Sequence, residues 1–125
     1  MKMEHVRRAA LVAAVIVPGL PAAAQDVNAG RQVFAQCAAC HAVTTANGVG
    51  PGLWGIVGSK SASVPGFRYG AAIKRAHLIW DEKNLDAYIA DPQKALPGTL
   101  MPFSGIADAQ QRADLIAYLK TIKSP

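Results

Sequence analysis

The chain has 125 residues, of which 51% are apolar, and its 13 lysines and arginines against 8 acidic residues give a formal charge of +5. This length suits one domain, and the apolar content excludes a mainly disordered chain. Two cysteines are too few for a scaffold held together by disulfides.

The first 24 residues have the pattern of a secretory signal peptide. Basic residues at positions 2, 7 and 8 precede an apolar run over residues 9–17, and three alanines follow at positions 22–24. The run is nine residues long, whereas a membrane-spanning helix needs about 20. We therefore expect a signal peptide over residues 1–24, cleaved near Ala24, and export to the periplasm. An uncleaved N-terminal anchor is the alternative.

The domain that remains, residues 25–125, is small and weakly charged. Its 10 basic and 7 acidic side chains leave +3, and 17 of its 48 apolar residues are alanines. The cations are scattered, not gathered into the stripe that nucleic acids require, so nucleic-acid binding is not expected. Small domains often need a bound group to complete the core, and so few large apolar side chains suggest one here.

The first predicted helix begins after Asp26 or Asn28, either of which can cap it. Its predicted apolar face consists of Val27, Gly30, Phe34 and Cys37.

A Cys-x-x-Cys-His motif follows at residues 37–41, the pattern of covalent haem attachment. Cys37 and Cys40 lie on one side of a helical turn and can bond both vinyl groups of one porphyrin edge, while His41 can ligate the iron. A thioredoxin-like pair would need a βαβ context, which is missing. A structural disulfide leaves His41 unexplained. A zinc site would need four ligands, and beyond the motif only the distant His77 could be counted.

The next segment, residues 47–70, has seven glycines and two prolines, which indicates a long loop wrapped around a bound group. A short helix is expected over residues 70–75. A further helix is predicted to begin at Asp81, to end before Pro92, and to pack Leu85, Tyr88 and Ile89 inward.

Met101 is the only methionine after residue 24, and it lies in a loop rich in proline and glycine. A methionine in such a loop is a poor core filler, so the second axial position of the iron is assigned to it. His77 is the alternative ligand.

The last predicted helix is capped by Asp108, with Gln111 three residues on. Its apolar stripe, bordered by Tyr118, consists of Leu115, Ile116, Leu119 and Ile122. The fold class predicted from all these elements is a small all-α domain with long loops.

The sequence resembles the class I cytochromes c of the small bacterial type that is similar to mitochondrial cytochrome c, over nearly all of residues 26–123. Besides the Cys-x-x-Cys-His motif, residues 49–55 match the family's Gly-Pro-x-Leu-x-Gly loop, and residues 97–101 match its methionine loop. Gly30 and Phe34 match its N-terminal helix, and Leu115 with Tyr118 match its C-terminal helix.

The resemblance implies a fold of helices around one covalent haem c, with His41 and Met101 as iron ligands. It implies that the Pro51 carbonyl accepts the Nδ1 proton of His41 and that Gly30 lets the terminal helices cross. Other aromatic and hydroxyl side chains would also contact the haem, with core packing as the alternative for the aromatic ones. Tyr69 and Trp80 would donate hydrogen bonds to a propionate, Tyr88 and Thr99 would lie near the Met101 sulfur and the other propionate, and Phe103 would line the haem.

The sequence departs from the family at several places. Ser59 replaces an arginine that supports a propionate, a role then missing or taken by Lys60, and Ile73 replaces an asparagine near a buried water. Most of the lysines around the exposed haem edge are absent. The positions concerned hold Gln36, Gln93 and Leu100, and Lys94 remains. We expect an apolar rim there, formed by Ala38, Ala39, Leu100 and Pro102.

The function predicted is that of a soluble, monomeric one-electron carrier and not an enzyme, since two axial ligands leave no open position on the iron. A peroxidase would need Met101 to dissociate, and a gas-sensing four-helix cytochrome would carry its motif near the C-terminus. The expected partners are redox proteins, with transient contact to membrane complexes. Quinol–cytochrome c oxidoreductase, a terminal oxidase and a periplasmic reductase are candidates. The alternative is a dedicated electron-transfer subunit of a periplasmic dehydrogenase or reductase complex.

Overall fold

The computed structural model describes residues 1, 3, 6, 8–19 and 24–123. Within these ranges the regular elements are helices, with one isolated antiparallel bridge between Lys60 and Ile79. In chain order the helices are α1 (Val27–Val33), α2 (Ala71–Ala76), α3 (Glu82–Ala90), α4 (Pro92–Ala95) and α5 (Ala109–Leu119), and a 3-10 turn, Phe34–Gln36, follows α1 directly. The predicted all-α fold with long loops is confirmed.

The predicted signal peptide lies partly outside the described residues, which omit Lys2, Arg7 and residues 20–23. Residues 8–19 are exposed and have no regular secondary structure. In the described ranges, none of the helices combines the length and apolar content needed to cross a membrane. Cleavage near Ala24 stays a prediction.

Helix α1 is capped by Asp26, whose side chain accepts hydrogen bonds from the backbone N–H groups of Asn28 and Ala29 at 2.8 and 3.1 Å. Phe34 is buried as predicted, but the prediction was wrong for Val27, which is 36% exposed. Three residues fall about 60° short of a full helical turn. Val27 therefore lies at the margin of the face that Gly30 presents to α5, at the first position of the helix.

Helices α1 and α5 cross at Gly30. A Cβ placed on Gly30 would lie 1.9 Å from the carbonyl oxygen of Asp114, so only glycine permits this approach. The buried Asp114 side chain joins the ends of the chain, because its Oδ1 accepts from the backbone N–H of Asp26 at 2.9 Å. Phe34 packs on Tyr118 with ring centroids 5.3 Å apart.

Helix α3 begins after Asp81 and buries its predicted apolar face. It ends at Ala90, ahead of Pro92 as expected, but the chain then forms the unpredicted helix α4. Proline is well suited to a first helical position, where its missing N–H is not needed. Asp91 caps this turn by accepting from the backbone N–H of Lys94 at 3.1 Å.

The predicted apolar stripe is buried, with Leu115 only 1% exposed, but its last member, Ile122, lies beyond the end of α5 at Leu119. Arg112 connects α5 to α3, because its Nε donates a hydrogen bond to the Asp86 carboxylate at 2.7 Å. Its Nη1 donates to the carbonyl oxygens of Ile106 and Ala107 at 3.0 and 2.9 Å. These contacts hold the loop that precedes α5 against the core.

Candidate functional site

A cavity of about 350 Å³ lies at the centre of the domain, within the range of about 300–1,000 Å³ for cofactor sites. Phe34, Leu85 and Leu115 contribute apolar lining from three of the helical segments. The long loops complete it, as the glycine-rich segment predicted. Every predicted site residue contributes to the lining: Cys37, Cys40, His41, Pro51, Tyr69, Trp80, Tyr88, Thr99, Met101 and Phe103.

The cysteines lie in a tight turn after the 3-10 segment. The backbone N–H groups of Cys40 and His41 both donate to the carbonyl of Cys37, at 3.1 and 2.9 Å. No disulfide joins the two cysteines, and both are partly buried. Burial, and secondarily the charge of Cys40, raises the pKa of the Cys37 thiol. Reactive redox cysteines have a lowered pKa instead.

His41 is held in one tautomer. Its Nδ1 is 2.8 Å from the carbonyl oxygen of Pro51, and because a carbonyl can only accept, the proton lies on Nδ1. Nε2 then keeps its lone pair for a metal. A Cβ on the neighbouring Gly50 would lie 2.5 Å from the imidazole Cε1, so this glycine lets the loop cover the ring.

Asn47 holds the loop that contains Gly50 and Pro51 in place through two hydrogen bonds, a role that the sequence does not reveal. Its Nδ2 donates to the carbonyl of Pro65 at 2.9 Å, and its Oδ1 accepts from the backbone N–H of Gly52 at 3.1 Å. One exposed amide thus joins the loop that holds Pro51 to the loop that leads to Tyr69. An asparagine among glycines is as typical of an ordinary turn, so the pattern alone could not indicate this contact.

Met101 is half-buried. It lies two residues after Thr99, whose side chain and carbonyl are both hydrogen-bonded. The buried Tyr88 hydroxyl lies 2.6 Å from Thr99 Oγ1, and Gln93 Nε2 donates to the Thr99 carbonyl at 2.8 Å. Burial raises the pKa of Tyr88, against a smaller lowering by its bond to Thr99. The phenol therefore stays protonated at neutral pH. Leu100, which lies between Thr99 and Met101, is 75% exposed.

Tyr69 and Trp80 also face the cavity. Trp80 is 5% exposed and packs on Tyr88 with ring centroids 5.0 Å apart. The Tyr69 oxygen accepts from the backbone N–H of Val64 at 3.0 Å, which leaves its proton free to donate elsewhere. Burial raises the pKa of Tyr69, against a smaller lowering by that bond, so this proton is retained at neutral pH.

The structure does not bring the alternative ligand His77 to the cavity lining. It ends α2 in the left-handed conformation, with φ 50°, and is exposed. In the described part of the chain, no three or more His, Cys, Asp or Glu side chains group to hold a metal ion.

The donor set fits a c-type haem. Two free thiols at the wall of an apolar cavity can form thioether bonds, and His41 presents Nε2 as a ligand. The Met101 side chain lines the same cavity and offers a thioether sulfur. Ser59, at the position of the family's arginine, donates its hydroxyl to the carbonyl of Ile56 at 2.7 Å, so it does not take that arginine's role.

Comparison with known proteins gives a consistent result. A model of the cytochrome c family matches residues 27–123. Cytochrome c2 of Rhodomicrobium vannielii is 45% identical over 121 residues, covering 95% of this chain and 97% of the relative. Cytochrome c2 of Blastochloris viridis is 46% identical over 102 residues, 80% of each chain. The solved structure of cytochrome cH from Methylobacterium extorquens superposes with a TM-score of 0.74 at 46% identity, covering 77% of this chain and 98% of that one.

Proposed function

The chain belongs to the cytochrome c family, and we propose that it shuttles single electrons between periplasmic or membrane-bound redox proteins with an iron held by His41 and Met101. As a member of that family it is an electron-transfer protein and not an enzyme. It carries a c-type haem bound through Cys37 and Cys40, and its partners are redox proteins.

One observation carries the proposed ligand pair: Met101 and a tautomer-locked His41 line one apolar cavity. When bound, a haem supplies a one-electron iron couple, whose potential a thioether ligand raises. The Pro51 carbonyl orients His41 and increases its basicity. Phe34, Trp80 and Leu119 are buried and line the cavity, so they would shield a bound haem from water.

The proposed ligation predicts a reversible couple without an open iron position. In an anaerobic potentiometric titration, the purified protein should follow a one-electron Nernst curve, and the ferric form should show the weak far-red band of sulfur ligation. Carbon monoxide should leave the ferrous spectrum unchanged, because the Met101 sulfur occupies the sixth position. Binding of carbon monoxide by the wild-type protein would contradict the ligand pair.

The choice between a free carrier and a dedicated subunit also has a direct test. When periplasmic extract from the native host is separated by gel filtration, the haem protein should elute at monomer size. Its mass should correspond to a chain that begins at Gln25. Elution of all the haem protein in a stable larger complex would instead favour the dedicated subunit of a dehydrogenase or reductase. The proposed partners are a quinol–cytochrome c oxidoreductase as donor and a terminal oxidase or a periplasmic reductase as acceptor.

Docking should depend little on charge. Of the proposed rim, Leu100 is 75% exposed, and Ala38, Ala39 and Pro102 are exposed too. Small apolar patches suit brief redox encounters, whereas charged docking is screened over about 8 Å at physiological salt. Stopped-flow rates with the native partner should therefore change little across a salt series. The Lys94→Glu substitution should lower the rate of electron transfer with that partner by less than about tenfold.

The matched control for this charge reversal is Lys123→Glu, at an exposed position after α5. Its rate should equal that of the wild type. A steep decline with salt, or a collapse of the rate in Lys94→Glu alone, would mean that the remaining lysine belongs to a charged docking face.

A further inference from the structure

The lining of the cavity carries positive charge. Among the described residues, Lys60 and Arg68 are the lysine and arginine that line it, and no aspartate or glutamate does. The sequence indicates a role for Lys60 but gives no signal for Arg68. Arg68 lies in the loop between the braced Pro65 and α2, directly before Tyr69.

Lys60 and Arg68 are both exposed, and neither is paired with a carboxylate among the described residues. The sequence contains no aspartate or glutamate between residues 27 and 80. In the part of the chain that the structure describes, the ion pairs join Arg112 to Asp86 and Lys120 to Glu82. Four of the remaining carboxylates, those of Asp26, Asp81, Asp91 and Asp108, cap helices instead.

A haem brings two carboxylates of its own into this cavity. On the porphyrin ring the propionates are carried on the edge away from the vinyl groups, and the thioether bonds to Cys37 and Cys40 fix the vinyl edge. A carboxylate that leaves water without a partner is strongly disfavoured. Part of the cavity wall must therefore supply donors or positive charge.

Arg68 is suited to this role. A guanidinium remains charged at every accessible pH and can bind a carboxylate through two parallel hydrogen bonds. Ser59 cannot replace it, since its hydroxyl is donated to Ile56. Tyr69, the next residue, keeps a proton to donate, because its oxygen already accepts from Val64. An arginine and a phenol thus stand side by side on the cavity lining.

We propose that Arg68, assisted by Lys60, binds a haem propionate and thereby raises the reduction potential of this protein. The inference rests on the proposed function, because the attachment of the vinyl edge to Cys37 and Cys40 decides which part of the cavity wall the propionates would face. A positive charge that neutralises a carboxylate near the iron favours the ferrous form, which has one positive charge fewer than the ferric form.

The test compares Arg68→Gln with Arg75→Gln in the holoprotein. Arg68 and Arg75 are both exposed, but only Arg68 lines the cavity, so the two substitutions remove the same charge and differ in the contact with the cavity. We expect Arg68→Gln to lower the equilibrium constant for reduction roughly three- to tenfold, where tenfold corresponds to 59 mV for one electron. Arg75→Gln should change it less than about twofold.

Two further measurements separate binding from a general charge effect. The resonance Raman bending band of the propionates should shift in Arg68→Gln and not in Arg75→Gln. Arg68→Lys should recover part of the potential, because it keeps the charge but loses the paired hydrogen bonds. Should Arg68→Gln fail to retain haem, Lys60→Gln gives the same readouts and should also lower the potential.

Equal potentials and equal Raman bands in Arg68→Gln and Arg75→Gln would overturn the proposal. Failure of the proposed function looks different, because the wild-type protein itself would then lack the far-red sulfur band and the one-electron titration.

Discussion

Replacing Met101 with alanine is expected to open the sixth coordination position of the iron and to lower the reduction potential by roughly 0.2 V, within the range of about 0.8 V that axial ligands span. Thioether sulfur is a soft donor that favours the ferrous state, so its loss favours the ferric state. The variant should also lose the far-red band and bind carbon monoxide when reduced.

Optical titration with carbon monoxide and potentiometry measure these changes. The matched control is His77→Ala, which removes the alternative ligand from an exposed position at the end of α2. That variant should keep the wild-type potential and remain inert to carbon monoxide. The distal assignment is wrong if His77→Ala, and not Met101→Ala, loses a ligand.

Replacing Gly30 with alanine is expected to lower the free energy of unfolding by about 2–4 kcal/mol, a large part of the 5–15 kcal/mol of a typical domain. The new Cβ would lie 1.9 Å from the Asp114 carbonyl oxygen and 2.9 Å from the Tyr118 Cβ. Backbone cannot rotate aside as a flexible side chain can, so α1 and α5 must separate. The gain in helix propensity, about 1 kcal/mol, is too small to compensate.

Guanidinium unfolding followed by circular dichroism measures this loss. Gly48→Ala is the matched control, since a Cβ at Gly48 would have no neighbour closer than 3.9 Å. It should change the unfolding free energy by less than about 0.5 kcal/mol. Equal stability of the two variants would show that the helix crossing adapts more readily than the geometry indicates.

The sequence predicted the features that are decided by neighbours along the chain. From the sequence, Asp108 is a predicted cap, Asp26 is one of two candidates with Asn28, and Asp81 is the predicted start of a helix. In the structure all three aspartates cap, because a capping side chain bonds a backbone N–H two or three residues away. The burial of Leu115 followed from the helical period in the same way. Helix α4 was missed because Pro92 was interpreted only as the end of a helix and not also as the start of one.

By itself the sequence determined the chemistry of this protein: a haem-attachment motif that places Cys37, Cys40 and His41 within five residues, and one methionine after residue 24 that could serve as the distal ligand. These are properties of residue type and short spacing. Only the tertiary structure decided that Asn47 joins two loops across 18 positions and that Arg68 lines the cavity beside Tyr69. Such contacts depend on how loops without a repeating pattern pack around a central cavity, and the residues involved carry no local signal of the partner they meet.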